Sequence, residues 1–238
     1  MTLPANNNIS SRLLVISDIH GHREGYLRLL QEAAYDPFMD QLVLLGDYID
    51  VQKTATWDIL DIMREQTAAG ALAIPGNHEL KLLALASAGK GSDKRTDYAE
   101  WIKSLPLHIA QRQYLFVHAG IRPGVPLAKQ SEKDLTEIRE AFYRYPEDSF
   151  ARQMDSEEDG TASRRIVFGH TPTFKLGEVA GRLWRDHRRI GIDTGAKHFY
   201  RLTLLDLTNR LAYSCATHTR YRCSDFRVEA LDWSRWED

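Results

Sequence analysis

Short apolar runs recur along this chain, each ending in a turn residue and then in polar or charged side chains. Leu13-Leu14-Val15-Ile16 stops at Ser17-Asp18-Ile19-His20-Gly21, Leu42-Val43-Leu44-Leu45 at Gly46-Asp47, and Ala71 to Ile74 at Pro75-Gly76-Asn77-His78. Unbroken runs of this length between turn formers predict strands buried on both faces. Between them the spacing turns helical. Tyr26, Leu29, Leu30 and Ala33 share one face, Trp57 to Ala69 repeats the pattern, and an Ala/Leu-rich helix is expected from Glu79 to about Ala86. Strands alternating with helices across short links predict βαβ units and a parallel sheet.

The texture changes after a loop expected over Ala88–Asp97, which is rich in Gly, Lys and Asp. Tyr114-Leu115-Phe116-Val117 runs into His118-Ala119-Gly120, and Ile166-Val167-Phe168 into Gly169-His170-Thr171-Pro172. Between these two strands, residues 121–165 read as a cap-like insertion with one helix over Glu132–Phe142 and an acidic stretch near 155–160. Short strands are expected at Arg188–Ile192, Leu202–Leu207 and Leu211–Ser214, and the arginines at 182, 185, 188 and 189 around Trp184 read as a solvated hairpin face. Residues 1–10 are polar and Asn-rich, a flexible tail ahead of a single domain over 11–238.

Composition narrows the class. Of 238 residues, 43% are hydrophobic and 27% charged, a soluble globular mix, and 31 basic against 33 acidic residues leave a net charge of −2. That balance argues against a broad nucleic-acid or anionic-membrane surface. No run reaches the ~18 apolar residues of a membrane span, and the opening MTLPANNNIS lacks the charged and apolar regions of a secretory leader. Two cysteines, Cys215 and Cys223, suit a reduced compartment. The expectation is a cytoplasmic protein with no membrane and no nucleic-acid partner.

The chemistry sits where the strands end. Asp18 and His20 follow the first strand, Asp47 the second, Asn77 the third, and His118 and His170 two later ones. Open α/β sheets bind ligands just beyond the carboxyl ends of their strands. Carboxylate, amide and imidazole donors gathered there suit borderline divalent metals such as Mn, Fe or Zn. Six donors exceed the need of one tetrahedral ion, so two ions sharing a carboxylate is the economical reading.

The ordered set Asp18-x-His20-Gly21, Gly46-Asp47-x-x-Asp50, Gly76-Asn77-His78-Glu79, Val117-His118-Ala119-Gly120 and Gly169-His170 resembles the calcineurin-like metallophosphoesterases. The second aspartate of Gly-Asp-x-x-Asp and the Glu after Asn-His narrow the resemblance to the phosphoprotein phosphatase branch, which also holds the symmetrical diadenosine tetraphosphatases. The resemblance covers roughly residues 12–207. It implies an α/β fold of two packed mixed β-sheets flanked by helices. It implies Asp18, His20 and His170 on one metal, Asn77 and His118 on the other, and Asp47 between them. Two cations about 3.5–4 Å apart would lower the pKa of a shared water for in-line attack on phosphorus. His78 is then the general acid and Asp50 its orienting partner.

One position departs from the family. Where its Gly-Asp-x-x-Asp continues with Arg-Gly, this chain has Val51-Gln52-Lys53. A missing phosphate clamp costs about 1.5–3 kcal/mol of binding unless replaced. Lys53 is near but is a point charge rather than a planar fork. Arg139, within a segment resembling the family's Trp-Ile-Arg-Glu, and Arg122 are the further substrate-binding candidates. The function this implies first is a metal-dependent phosphatase of the bacterial protein-phosphatase type, acting on phosphorylated protein or a small phosphoester. Hydrolysis of dinucleoside polyphosphates is the near alternative, and a noncatalytic metal-binding module the remote one.

Overall fold

The computed structural model describes residues 12–88, 93–150, 164–221 and 223–233. Eleven strands in this region form two sheets. The first carries β1 (Leu13–Ile16), β2 (Gln41–Leu44), β3 (Leu72–Ala73), β9 (Arg201–Asp206), β10 (Leu211–Ala216) and β11 (Phe226–Ala230), in the order β11-β10-β9-β1-β2-β3. β1, β2 and β3 run parallel, and β9 to β11 extend the sheet antiparallel. The second carries β4 (His108–Gln111), β5 (Tyr114–Val117), β6 (Arg165–Phe168), β7 (Trp184–Arg185) and β8 (Arg189–Gly191), in the order β4-β5-β6-β8-β7. β5, β6 and β8 form its parallel centre.

The unbroken apolar runs follow from this layering. Leu13, Val15, Val43 and Leu45 point between the sheets, where they meet Phe116, Val167, Ile190 and Leu205. Their neighbours Leu14, Ile16, Leu42 and Leu44 point the other way, against α1 (Arg23–Glu32) and α2 (Ile59–Ala68). A strand covered on both sides has no face left for polar residues. The outer face of the second sheet is closed by Ile121, Leu135, Ile138, Phe142 and Phe150, so residues 121–150 pack across it. The layers are helix, sheet, sheet, helix, as the sequence predicts.

The differences are local. α3 (Asn77–Ser87) begins two residues before the expected helix, and α4 (Asp93–Ser104) occupies part of the expected loop. The single helix predicted over 132–142 is two, α5 (Glu132–Glu137) and α6 (Glu140–Tyr143). The reason is tertiary: the Leu135 carbonyl accepts from Ala119 N–H at 2.8 Å, and the backbone leaves the helical region at Ile138 (ψ 146°) and Arg139 (φ −135°, ψ −107°). Arg189 is not on a solvated face. It is buried, donating to Asp186 Oδ2 at 2.6 Å and to the Phe142 carbonyl at 2.6 Å, with its guanidinium 4.7 Å from the Phe150 ring centre. β4, β7 and β11 have no counterpart in the sequence reading, and the 1–10 tail and the acidic stretch near 155–160 lie outside the described residues. No described helix is long and apolar enough to cross a membrane, and both cysteines are free thiols.

Candidate metal centre

The ends of β1 and β2 continue side by side as loops: Asp18 N–H donates to the Gly46 carbonyl at 3.0 Å and His20 N–H to the Asp47 carbonyl at 2.9 Å. Asp18, His20, Asp47 and His170 all have φ between 46° and 63°. That region is uncommon for residues with a side chain, and such strain gathers where a site needs side chains aimed one way. Glycines let the loops close on one another. A Cβ at Gly46 would lie 2.2 Å from Gly76 N, and one at Gly169 would lie 2.1 Å from Asp18 Oδ2.

Glu79, fully buried, ties the second and third loops together. It accepts from the N–H groups of Asp47 (2.7 Å), Tyr48 (2.9 Å), Ile49 (3.2 Å) and Gly76 (2.8 Å). The sequence reading used Glu79 as a family mark and gave it no role. Its signal is a carboxylate at the third position of a helix that begins in a Gly-rich turn, where orphan N–H groups collect.

The six expected donors converge. His20 Nδ1 meets the Ile49 carbonyl at 3.0 Å and His118 Nδ1 the Leu45 carbonyl at 2.7 Å. Those contacts fix the ring orientation and turn each Nε2 inward as a metal ligand's would be. His20 Nε2 lies 3.7 Å from both Asp18 Oδ1 and Asp47 Oδ2, and His118 Nε2 lies 3.4 Å from Asp47 Oδ1. Asp18 Oδ2 accepts from Ser17 Oγ and His170 N–H, while Asp18 Oδ1 and His170 Nε2 are buried with no hydrogen-bond partner. The Asn77 amide oxygen lies 3.3 Å from Asp47 Oδ2, an acceptor, and 2.9 Å from His170 Nδ1. With the His170 lone pair on the orphaned Nε2, its Nδ1–H donates to that oxygen, and the Asn77–Asp47 pair is left as two acceptors facing each other. Acceptors pointed at one another and orphaned lone pairs fit a divalent cation among them.

Asp47 belongs to two such groups, one with His20 and His78 and one with His118 and His170. Asp47 is the residue common to the two groups. His170 falls in the group of His118, with their ring centres 5.1 Å apart, rather than beside His20 as the sequence partition had it. The reason is that the β6 loop runs next to that of β5: Gly169 N–H donates to the His118 carbonyl at 2.8 Å.

Charge follows the geometry. Burial lowers the His20 pKa, but the neighbouring carboxylates of Asp18 and Asp47 lift it to about 9. Burial, with His118 and Arg139, pushes His170 down to about 3, leaving a neutral imidazole. Burial beside Asp18 drives the Asp193 carboxyl well above its ordinary range. Asp193 lines the site, in the stretch Ile192-Asp193-Thr194-Gly195-Ala196 that the sequence marks as part of the family resemblance without a role.

The ligand groups floor a cavity of about 220 Å³, also lined by Arg139, Lys175, Lys197 and His198. Arg139 reaches it because the break between α5 and α6 turns it inward, with Nη1 3.4 Å from Thr171 Oγ1. Arg122 does not reach it; its guanidinium pairs with Asp134 at 2.6 Å, at the start of α5. Lys53 pairs with Asp50 at 3.3 Å and also stays outside. His78 lines the cavity, but Asp50 Oδ1 is 3.8 Å from its Nδ1, beyond a hydrogen bond. The partner of Nδ1 is Val51 N–H, at 3.0 Å. Lys197 Nζ is 2.9 Å from His78 Nε2, a contact no sequence motif signalled.

Residues 11–219 match the family model described as calcineurin-like phosphoesterase. Among curated relatives, the symmetrical bis(5'-nucleosyl)-tetraphosphatase of Aromatoleum aromaticum is 32% identical over 125 residues, 47% of this chain and 45% of the relative. The enzyme of the same name from Pseudomonas fluorescens is 28% identical over 75% of this chain and 68% of its own length. The match spans about half the length of the first of these relatives. A solved structure provisionally named a diadenosine tetraphosphatase superposes with a TM-score of 0.69 at 21% identity, covering 90% of this chain and 97% of that one. A cold-active protein tyrosine phosphatase superposes with a TM-score of 0.58 at 18% identity, covering 92% and 78%. At these identities the structures share the fold.

Proposed function

Because this chain belongs to the calcineurin-like phosphoesterase family, we propose that it is a two-metal phosphoester hydrolase whose substrate is a phosphoanhydride of the dinucleoside polyphosphate class. This reverses the order the sequence alone suggests, in which a phosphoprotein comes first. The observation that carries it is the charge around the cavity: Arg139, Lys175 and Lys197 all face the ligand groups. A chain of phosphates extends past the metals and needs cations along its length. The names of the curated relatives agree with this reading.

Asp18, His20 and Asp47 would hold one ion, and Asp47, Asn77, His118 and His170 the other. When bound, the ions would polarise phosphoryl oxygens and lower the pKa of water at the site. Arg139 supplies a planar fork for the phosphoryl oxygens from the α5–α6 break. Burial presses the His78 pKa down to about 4, only partly offset by Asp47, so the ring gives up a proton readily once protonated. Its orientation comes from Val51 N–H, and it presents Nε2 to the leaving oxygen. Asp50 acts on it through charge at 3.8 Å.

The test is side-by-side hydrolysis by metal-stripped protein reloaded with Mn²⁺, using diadenosine tetraphosphate, phosphoserine and phosphotyrosine peptides, and p-nitrophenyl phosphate. The expected result is a kcat/KM for the dinucleotide at least about tenfold above either peptide, abolished by Asp47→Asn. A preference for the peptides would return the function to a protein phosphatase.

A further inference from the structure

At His78 the structure sets donor against donor. Val51 N–H points at Nδ1 from 3.0 Å, so Nδ1 is an acceptor and a neutral ring carries its hydrogen on Nε2. Nε2 lies 2.9 Å from Lys197 Nζ, and an ammonium only donates. Moving the hydrogen to Nδ1 shifts the conflict to Val51 N–H without removing it. What reconciles the three groups is an oxygen with free lone pairs near His78 Nε2 and Lys197 Nζ, accepting from both.

We propose that Lys197 is the cation that receives the departing phosphate of the substrate, on the leaving-group side of His78, and that it selects phosphoanhydrides over alkyl phosphate esters. The inference rests on the two-metal phosphohydrolase reading above and deepens it.

The neighbourhood supports the assignment. Position 51, where the family carries its phosphate arginine, has a half-buried valine packed on the core under β1 and β2. Lys53 is held by Asp50 outside the cavity. Lys197 instead enters from across the cleft, on a loop with little freedom. Gly195 takes φ 89°, where a Cβ would meet the Tyr200 ring at 2.9 Å. The buried Ala196 offers its carbonyl to Thr217 Oγ1 at 3.1 Å and to His22 Nε2 at 3.0 Å. His198 packs edge-on against Phe174, with ring centres 5.4 Å apart. The lysine side chain thus reaches into the cavity from a fixed base.

In the step assigned to this site, an oxygen from water bonds to phosphorus and the bridging P–O bond breaks. Its electron pair stays on the bridging oxygen, which departs as the terminal oxygen of a nucleoside diphosphate, and the attacking oxygen's proton passes to solvent. That leaving group is a stable anion that needs charge neutralisation, which a lysine provides. A serine alkoxide needs a proton instead, which an ammonium facing His78 Nε2 does not help that ring deliver.

Two measurements on Lys197→Gln and Lys197→Arg test this. The first is kcat/KM for diadenosine tetraphosphate and for p-nitrophenyl phosphate, whose leaving charge spreads into its ring. Lys197→Gln is expected to lower the anhydride-to-aryl-ester ratio by about tenfold or more, the weight of one charged hydrogen bond, and Lys197→Arg to restore most of it. The second is calorimetric binding of ADP to the metal-free protein, expected to weaken about tenfold in Lys197→Gln. An unchanged ratio, or ADP bound equally by wild type and Lys197→Gln, overturns the assignment. A wild type that prefers phosphopeptides overturns the substrate reading instead, and ADP binding still decides the role of Lys197.

Discussion

Val51 N–H donates to His78 Nδ1 at 3.0 Å, so the residue standing where the family keeps a phosphate arginine holds His78, the proposed acid, by its backbone. The side chain at position 51 has been exchanged, but the backbone contact does not depend on it. The ring is therefore in the Nε2–H tautomer when neutral. Nitrogen-15 NMR of the metal-free protein at pH 7 is expected to show that tautomer for His78, and to show it unchanged in Val51→Ala. An Nδ1–H tautomer would assign the orientation of the ring to Asp50.

Substituting His78 by Asn separates substrates by how badly their leaving group needs a proton. General acid catalysis is worth roughly 10²–10⁴ in rate when the leaving group is a poor one. His78→Asn should cost phosphoserine hydrolysis about a hundredfold or more, and p-nitrophenyl phosphate and diadenosine tetraphosphate much less. Equal losses on all three remove the acid role.

Glu79 ties the loops after β2 and β3 together by accepting from four backbone N–H groups. Glu79→Gln turns an amide NH₂ toward donors that are buried, and each orphaned N–H costs about 1–3 kcal/mol. The variant should lose about 2–4 kcal/mol in a urea titration, with metal affinity falling as well. Wild-type stability would mean that water replaces the carboxylate.

Arg12 and Asp40 make a pH-dependent tie between β1 and the end of the first helical segment. Arg12 donates to both Asp40 oxygens, at 2.9 and 2.6 Å, and to the Ala33 carbonyl at 2.8 Å. Burial raises the Asp40 carboxyl, but the hydrogen bond and charge of Arg12 outweigh it and leave the folded pKa below 3.8. A depressed carboxylate contributes stability above its unfolded pKa of about 3.9 and loses it as pH falls through the folded value. Asp40→Asn should be about 1 kcal/mol less stable than wild type at pH 7, with the gap closing below pH 4. A gap independent of pH would assign the loss to packing.

What the sequence made legible is the chemistry that needs a fixed order along the chain. Asp18, His20, Asp47, Asn77, His118 and His170 could be read because each ends an apolar run, and parallel strands bring such ends to one rim. Lys197 could not, since no motif singles out a lysine in Gly-Ala-Lys-His and only the fold brings it 2.9 Å from His78. The break at Ile138–Arg139 was hidden for the same reason: the competing donor, Ala119 N–H, lies sixteen residues from the carbonyl it takes. Arg189 looked exposed because its partners include carbonyls of Phe142 and Tyr145, more than forty residues away.

Two divalent ions sharing Asp47 would show in the metal stoichiometry of the protein. Protein dialysed against Mn²⁺ and then freed of unbound metal should hold two ions per chain by elemental analysis, and one or none in Asp47→Asn of unchanged fold. A wild type holding one ion or fewer at saturating Mn²⁺ would contradict the account, since the acceptors facing one another across Asp47 would then need another explanation.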